Sequence, residues 1–316
     1  MANSDALNGK LVVLVGGSGF FGTHIAQDLL ERGARLRIAS RNPETSFKLK
    51  PLANLGQLQF ARCDVTRRDS LEASLQGADA VVYLVGTFEG NQKALQATGA
   101  GNAARIAGEQ GAQAFVYVSA IGADAQDEES GYAATKGLGE KLVLEGFPAA
   151  TIVRPSIIFG EDDQFVNMFA GLIGKLPALP VFGPDSRIQP VWVDDAAEAV
   201  VNALADPGKH GGKTYELAGP EVIDMEELHQ RIARAQGRER TFLPVPDFAA
   251  RIFAALPGTP INSDQFLLLK RGSVAGDTLP GIEKLGVSPK PLSLFLERWM
   301  VRYRKHGRFG DGPSLA

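Results

Sequence analysis

The chain has 316 residues, 44% of them hydrophobic and 22% charged, which suits an ordinary globular protein with material for one large domain or two smaller ones. Its 33 basic and 36 acidic side chains leave a net charge of −3, so no whole-molecule field draws it to nucleic acid. Cys63 is the single cysteine, which excludes an internal disulfide and any cysteine-rich metal site and fits a reducing compartment. The opening MANSDALNGK lacks the basic flank and apolar centre of a secretion signal. No window reaches the roughly 18 apolar residues needed to cross a bilayer, so a cytoplasmic protein without a transmembrane segment is expected.

In chain order, LVVLV (11–15), LRIAS (36–40), LQFAR (58–62), AVVYLV (80–85), AFVYVS (114–119) and ATIVRP (150–155) read as parallel strands apolar on both faces. Between them, THIAQDLLERG and ALQATGAGNAARIAGEQG place apolar residues three and four apart and carry glycine at or near the end, the mark of helices. Strand, helix, strand in succession implies right-handed crossovers and a Rossmann-like, doubly wound α/β sheet. After about residue 156 prolines and glycines break the pattern, as in GKLPALPVFGPDS, and 241–290 is helix-rich with scattered prolines. The expected organisation is a dinucleotide-binding domain over 1–155, with sheet additions from about 185–218. A smaller, irregular mixed α/β substrate or partner lobe fills 156–316.

The turn GGSGFFGTH (16–24) carries the first chemistry. A lone G-x-G-x-x-G is weak, but this one follows a strand and opens a helix. Gly16 permits the tight turn, Gly19 lets the backbone approach a pyrophosphate, and Gly22 lets the helix pack on the strand. The helix N-terminus adds unpaired N–H groups and a positive dipole end, so the turn is an anion seat. At the end of the second strand an NAD-specific site usually carries a carboxylate for the ribose 2′-hydroxyl. Here Ser40-Arg41-Asn42 stands instead, with no Asp or Glu from 35 to 43, and a guanidinium suits a 2′-phosphate. NADP(H) is therefore the expected cofactor, against the bland alternative of a solvated loop arginine. Asp64 and Val65, after the third strand, would flank the adenine; Asp64 could equally cap the helix in TRRDSLEASL.

Proton chemistry enters with Ser119 and GYAATKGLGEKL. Tyr132 and Lys136 are four apart and share a helix face, and Ser119 ends the fifth strand. A phenol with an unperturbed pKa near 10 is a poor acid–base group at pH 7, and a neighbouring ammonium favours its ionised form. Tyr132 would exchange a proton with a carbonyl or alcohol oxygen, Lys136 would also hold the nicotinamide ribose, and Ser119 would orient the substrate oxygen.

With GGSGFFG, CDV, FVYVSA, Tyr132 and Lys136, RPSIIFG (154–160), QPVWVDDAAEAV (189–200) and TYELAGPEVIDMEEL (214–228), the chain resembles the extended and atypical short-chain dehydrogenase/reductases. Through VSAIGAD, RPSIIFGEDDQFVNMFA and YELAGPE it is similar to bacterial relatives of the nucleotide-binding accessory subunit of mitochondrial respiratory complex I. The resemblance implies an NADP(H)-binding domain whose contacts include Ser18, Phe20, Phe21, Val85, Gly86 and Pro155 besides the residues above. It does not guarantee turnover, because that subunit is thought to keep its nucleotide for structural reasons. Where family enzymes hold a relay water with an asparagine, this chain has Gln96, and Ser119 is followed by Ala120 and Ile121 rather than by hydroxyl residues. Gly137 and Gly139 within the presumed helix read as room for close packing.

Other attractive residues take bland readings. Asp194-Asp195 and the EDD of 161–163 suit helix N-termini better than a carboxylate pair. His24, His210, His229 and His306 lack metal-ligand spacing, so no metal is expected. VPDFAARIFAALPG and QFLLL hint at a lipophilic ligand, although a core role is the simpler reading. The tail RWMVRYRKHGRFG interleaves cations and aromatics that could press on an anionic membrane face, against the simpler reading of a solvated end. Two readings survive. One is an NADP(H)-dependent oxidoreductase acting on a carbonyl or alcohol of a lipophilic, quinone-like molecule. The other is a non-catalytic NADPH-binding scaffold of a respiratory or quinone-synthesis assembly. The first is favoured, because a scaffold has no physical need for an ionisable phenol beside Lys136.

Overall fold

The computed structural model describes residues 6–256 and 261–304. They divide into two compact units, the first drawn from Met1–Ser156, Val193–Ala218 and Ala275–Pro289, the second from Ile157–Trp192, Gly219–Val274 and Lys290–Ala316. The chain opens with β1 (Leu11–Val15), α1 (Phe20–Glu31), β2 (Arg35–Ser40), β3 (Leu58–Arg62), α2 (Arg68–Leu75), β4 (Ala80–Tyr83), α3 (Gly99–Glu109), β5 (Ala114–Val118), α4 (Gly131–Gly146) and β6 (Thr151–Pro155). It continues into the second unit with β7 (Ile158–Phe159), α5 (Phe165–Lys175), β8 (Ala178–Phe182), β9 (Arg187–Ile188) and β10 (Val191–Trp192). It returns to the first for α6 (Val193–Ala205), α7 (Pro207–His210) and β11 (Thr214–Leu217). The remaining elements, β12 (Ile223–Asp224), α8 (Met225–Ala235), β13 (Thr241–Val245), α9 (Asp247–Ala255), α10 (Ser263–Arg271) and α11 (Ser293–Met300), belong to the second.

In the first unit seven parallel strands run in the order β11-β6-β5-β4-β1-β2-β3, the doubly wound arrangement expected of the repeated strand and helix pattern. β1, β4 and β5 are buried along their whole length, which is why they carry almost only aliphatic and aromatic residues. LQFAR departs from the expectation of strands covered on both faces: β3 is the sheet edge, and Gln59 and Arg62 reach solvent. The order reverses between β1 and β4, so the loops leaving these two strands diverge and open the crevice where such sheets bind ligands. AVVYLV stops being a strand at Tyr83; the Leu84 amide still donates to the Val15 carbonyl at 2.8 Å, and Val85 packs against Gly16 of the turn after β1.

The stretch read as one helix from Ala94 onward begins instead with a π-helical turn, Lys93–Thr98, ahead of α3. Two buried phenols account for it. Tyr83 donates to the carbonyl of Leu95, and Tyr117 to that of Gln96 at 2.7 Å, so these acceptors have partners outside the helix ladder. Gly99 makes the approach possible, since a Cβ there would lie 2.7 Å from the Tyr83 hydroxyl.

The second unit has its own apolar core around Phe159, Phe169, Ile173, Leu228, Ile232 and Trp299. β13 pairs in parallel with β8, and β12 pairs antiparallel with β9. QFLLL supplies Phe266 and Leu269 to this core, whereas α9 turns Ala250 and Ala254 inward and leaves Phe248 and Ile252 exposed. The start of the basic tail is built in too: Trp299 and Met300 are buried, and Arg302 and Tyr303 bond Asn167 of α5. Its remainder, including His306, lies outside the described residues. Among the described residues no helix is long and apolar enough to cross a membrane.

Candidate functional site

The glycine turn joins β1 to α1. Gly16 adopts φ +81°, a left-handed conformation that L side chains resist, and a Cβ on it would strike Val85 Cγ2 at 2.9 Å. Gly22 packs on the turn itself, its missing Cβ 2.6 Å from Gly17 Cα, so α1 can close onto β1. Gly19 differs: the nearest atom to its missing Cβ is the Gly16 carbonyl oxygen at 3.9 Å, leaving room above the backbone. α1 begins at Phe20 with Gly19 as its N-cap, no side chain accepting from the first-turn amides as a cap and no acidic residue in the first turn; the Thr23 hydroxyl donates to the Gly19 carbonyl at 2.9 Å. These are the properties of a seat for a diphosphate: an open cradle, unclaimed amides and no competing carboxylate.

Ser40 and Ser119, at the ends of β2 and β5, are both buried, and the Oγ of each has no hydrogen-bond partner among the described residues. A buried orphan hydroxyl is costly, and two of them facing ends of this sheet fit a polar dinucleotide. Arg41, next to Ser40, is exposed. Asp64 departs from one of its two sequence readings. It does not cap α2, whose N-cap is Arg67; its carboxylate accepts from the Thr66 amide (3.0 Å) and hydroxyl (2.7 Å), and these bonds hold its pKa below the usual carboxylate range. Val65 is buried, Gly86 is exposed, and Pro155 is the buried last residue of β6.

Ser130 starts α4 by accepting from the amide of Ala133 at 3.1 Å, which sets Tyr132 in the first turn and Lys136 one turn later. Lys136 is fully buried and donates to the carbonyls of Val118 (2.8 Å), the end of β5, and Val85 (3.4 Å), at the start of the loop after β4. Its Nζ lies 5.8 Å from the centre of the Tyr132 ring and 5.2 Å from that of Tyr117. Burial pushes its pKa down from 10.5 to about 7, partly opposed by the Glu140 carboxylate. Between those values the unfolded chain holds a proton that the folded chain lacks, so this residue makes stability rise as pH climbs from about 7 towards 10.5. Melting temperatures of the nucleotide-free protein should therefore climb across that window more steeply than those of Lys136→Met; parallel curves would show that Lys136 titrates normally.

Further side chains complete the surroundings of the pair, and of these only Gln96 is marked in the sequence. Phe88 stacks on Tyr132, ring centres 4.3 Å apart and 18° from parallel, and fixes the phenol's plane. Gln96 is fully buried, accepts from the Thr87 amide at 3.1 Å and donates to Thr135 Oγ1 at 2.6 Å. The amide in the asparagine's place thus ties the loop after β4 to α4. Glu140, one turn beyond Lys136, is gripped at both oxygens by Arg154, at 2.8 and 2.7 Å. The bland readings hold elsewhere: the Asp163 carboxylate receives the amides of Gly160 and Val166 at the start of α5. Asp194 and Asp195 lie in the first turn of α6, Asp194 Oδ1 2.6 Å from His24 Nδ1.

A family model described as NAD(P)H-binding matches residues 16–169, the stretch holding every feature above up to Arg154 and Pro155. The mouse protein "NADH dehydrogenase [ubiquinone] 1 alpha subcomplex subunit 9, mitochondrial" is 30% identical, over 96% of this chain and 82% of its own length. A ceramide reductase of Caulobacter vibrioides is 31% identical over 62% of each chain. Among solved structures, the epimerase Mth375 of Methanothermobacter thermautotrophicus shares the fold with a TM-score of 0.73, covering 95% of this chain and 93% of its own at 17% identity. The chain belongs to the NAD(P)-binding extended and atypical short-chain dehydrogenase/reductases, in the group that includes the mitochondrial complex I subunit.

Proposed function

We propose that the protein is an NADP(H)-dependent oxidoreductase that reduces the carbonyl of a lipophilic, quinone-like or acyl-chain substrate. The observation that carries this is the pairing of Tyr132 with a buried ammonium whose acceptors among the described residues are main-chain carbonyls. The bound cofactor supplies the hydride. Tyr132 donates the phenolic proton to the substrate oxygen as the carbonyl becomes an alcohol, and Lys136 stabilises the phenolate left behind. Ser119 Oγ, buried and without a partner among the described residues, holds the substrate oxygen or the nicotinamide edge. Phe88, stacked on Tyr132, keeps the phenol in one plane so that its hydroxyl is presented rather than swung. The ceramide reductase relative supports a lipid carbonyl as substrate class.

Preference for NADP(H) rests on Arg41, exposed beside Ser40 with no carboxylate from 35 to 43. A charge-assisted bond to the 2′-phosphate contributes about 1.5–3 kcal/mol, or roughly 10- to 150-fold in affinity. Arg41→Ala should weaken NADPH by that factor and leave NADH within about twofold; calorimetry that finds equal losses for both removes the preference.

A second reading, a nucleotide-holding accessory protein docked on a respiratory or quinone-synthesis assembly at the inner membrane face, is favoured by the match to the mitochondrial subunit over nearly the whole chain. Turnover separates the two.

A further inference from the structure

Tyr132, Lys136 and Glu140 stand at successive turns of α4, so Lys136 and Glu140 are positioned for the i,i+4 ion pair that such a spacing ordinarily forms. The structure records no such pair. Glu140 instead receives Arg154 Nε at one oxygen and Nη2 at the other, 2.8 and 2.7 Å away, with the glutamate buried and the arginine half-buried. The guanidinium reaches it from β6, the strand that ends in Pro155 and pairs with β5. Two-point binding fixes a carboxylate's orientation as well as its charge, which one ammonium cannot do.

We propose that Arg154 is a positioning residue: by closing both Glu140 oxygens it denies Lys136 an acidic partner and leaves the lysine ammonium to main-chain carbonyls, Tyr132 and the cofactor's ribose. The inference rests on the proposed acid–base role of Tyr132 and Lys136, but its core can be read without turnover. The titratable groups facing Lys136 are Tyr117 from β5 and Tyr132 and Glu140 from α4; the loop after β4 presents its backbone. Those facing the clamp are Glu216 from β11, which accepts from the amide of Gly276 at 2.6 Å, and Asp124 from the loop after β5. Arg154 therefore sits among three carboxylates while Lys136 has one within reach, already taken. The depressed affinity of Lys136 for its proton agrees with an ammonium that burial isolates and Glu140 relieves only in part.

The test is the titration of Lys136 in the protein without nucleotide, followed by NMR of lysines labelled at 13Cε, the resonance assigned by its loss in Lys136→Arg. In Arg154→Gln the freed Glu140 turns to Lys136, and the midpoint should rise by about one pH unit or more. In Arg154→Gln/Glu140→Gln there is no carboxylate to turn, and the midpoint should return to the wild-type value or below. NADPH affinity should fall about tenfold in the single variant and recover at least partly in the double one. If the glutamine variant does not fold, Arg154→Lys carries the same test, because it keeps a cation at Glu140 with one contact fewer and should shift the midpoint the same way by less. A midpoint that stays put when Arg154 is replaced, or a rise that the second substitution fails to reverse, overturns the proposal and assigns the clamp to stability alone. Neither result depends on Tyr132, so a failure of the acid–base reading, seen as undiminished turnover in Tyr132→Phe, stays distinguishable.

Discussion

Tyr132→Phe should lower the rate of NADPH oxidation with a carbonyl substrate by about 10²–10⁴-fold, the range that a single general acid contributes. The reason lies in what the substitution leaves in place. The phenyl ring keeps its stack on Phe88, α4 keeps its Ser130 cap, and Lys136 keeps both carbonyl partners, while the transferable proton is lost. NADPH affinity should stay within about threefold, because the contacts that seat the diphosphate are made by the glycine turn and not by the phenol. Stopped-flow absorbance at saturating NADPH reads the rate, and fluorescence titration reads the affinity. A rate within about threefold of wild type would withdraw the phenol from the chemistry and favour the accessory reading. A fall in affinity as large as the fall in rate would show that Tyr132 holds the nucleotide rather than the proton.

Gly139→Ala should cost about 3 kcal/mol or more, a loss of roughly 4–5 °C or more in melting temperature for a protein of this size. Its added Cβ would meet the Tyr117 hydroxyl and, at 2.5 Å, the Gln96 carbonyl, the two ends of the hydrogen bond that seats the π-helical turn on β5. One of them must move, and Tyr117 is fully buried with nowhere to place an unpaired hydroxyl. The ordinary helix gain of alanine over glycine, about 0.5–1 kcal/mol, is too small to compensate. Gly171→Ala in α5 is the control, because nothing lies within 4 Å of its missing Cβ, and it should be neutral or slightly stabilising. Differential scanning calorimetry decides. Equal effects at the two sites would mean that α4 slides freely over the π-helical turn.

What could be read in advance follows from which interactions are local. The parallel strands announce themselves because burial on both faces demands unbroken apolar runs, and LVVLV and AFVYVS meet that demand along their whole length. LQFAR shows the limit: its composition is that of a strand, but only the sheet order makes it an edge. The glycines and the Tyr132–Lys136 pair are legible for the same reason, as fixed spacings within one turn or one helix. Phe88 is not, since its stack on Tyr132 joins residues 44 positions apart through a loop of unremarkable sequence. Nor is the Arg154–Glu140 clamp, which links a helix to the strand after it, or the π-helical turn, whose cause is two phenols delivered by β4 and β5. In each case one partner's meaning depends on a second that arrives only when the sheet assembles.

The way the chain crosses from one unit to the other and back has a bearing on how the protein can be cut. β11, the outermost strand next to β6, comes from Thr214–Leu217, long after the main run of the nucleotide-binding unit has ended at Ser156. A ribosome that stopped at that point would release a sheet whose β6 presents bare amides and carbonyls along one margin, an invitation to stack edge to edge with its neighbours. The nucleotide fold is thus finished late in synthesis, and a fragment ending at Ser156 would be prone to aggregate rather than persist as a miniature binding protein.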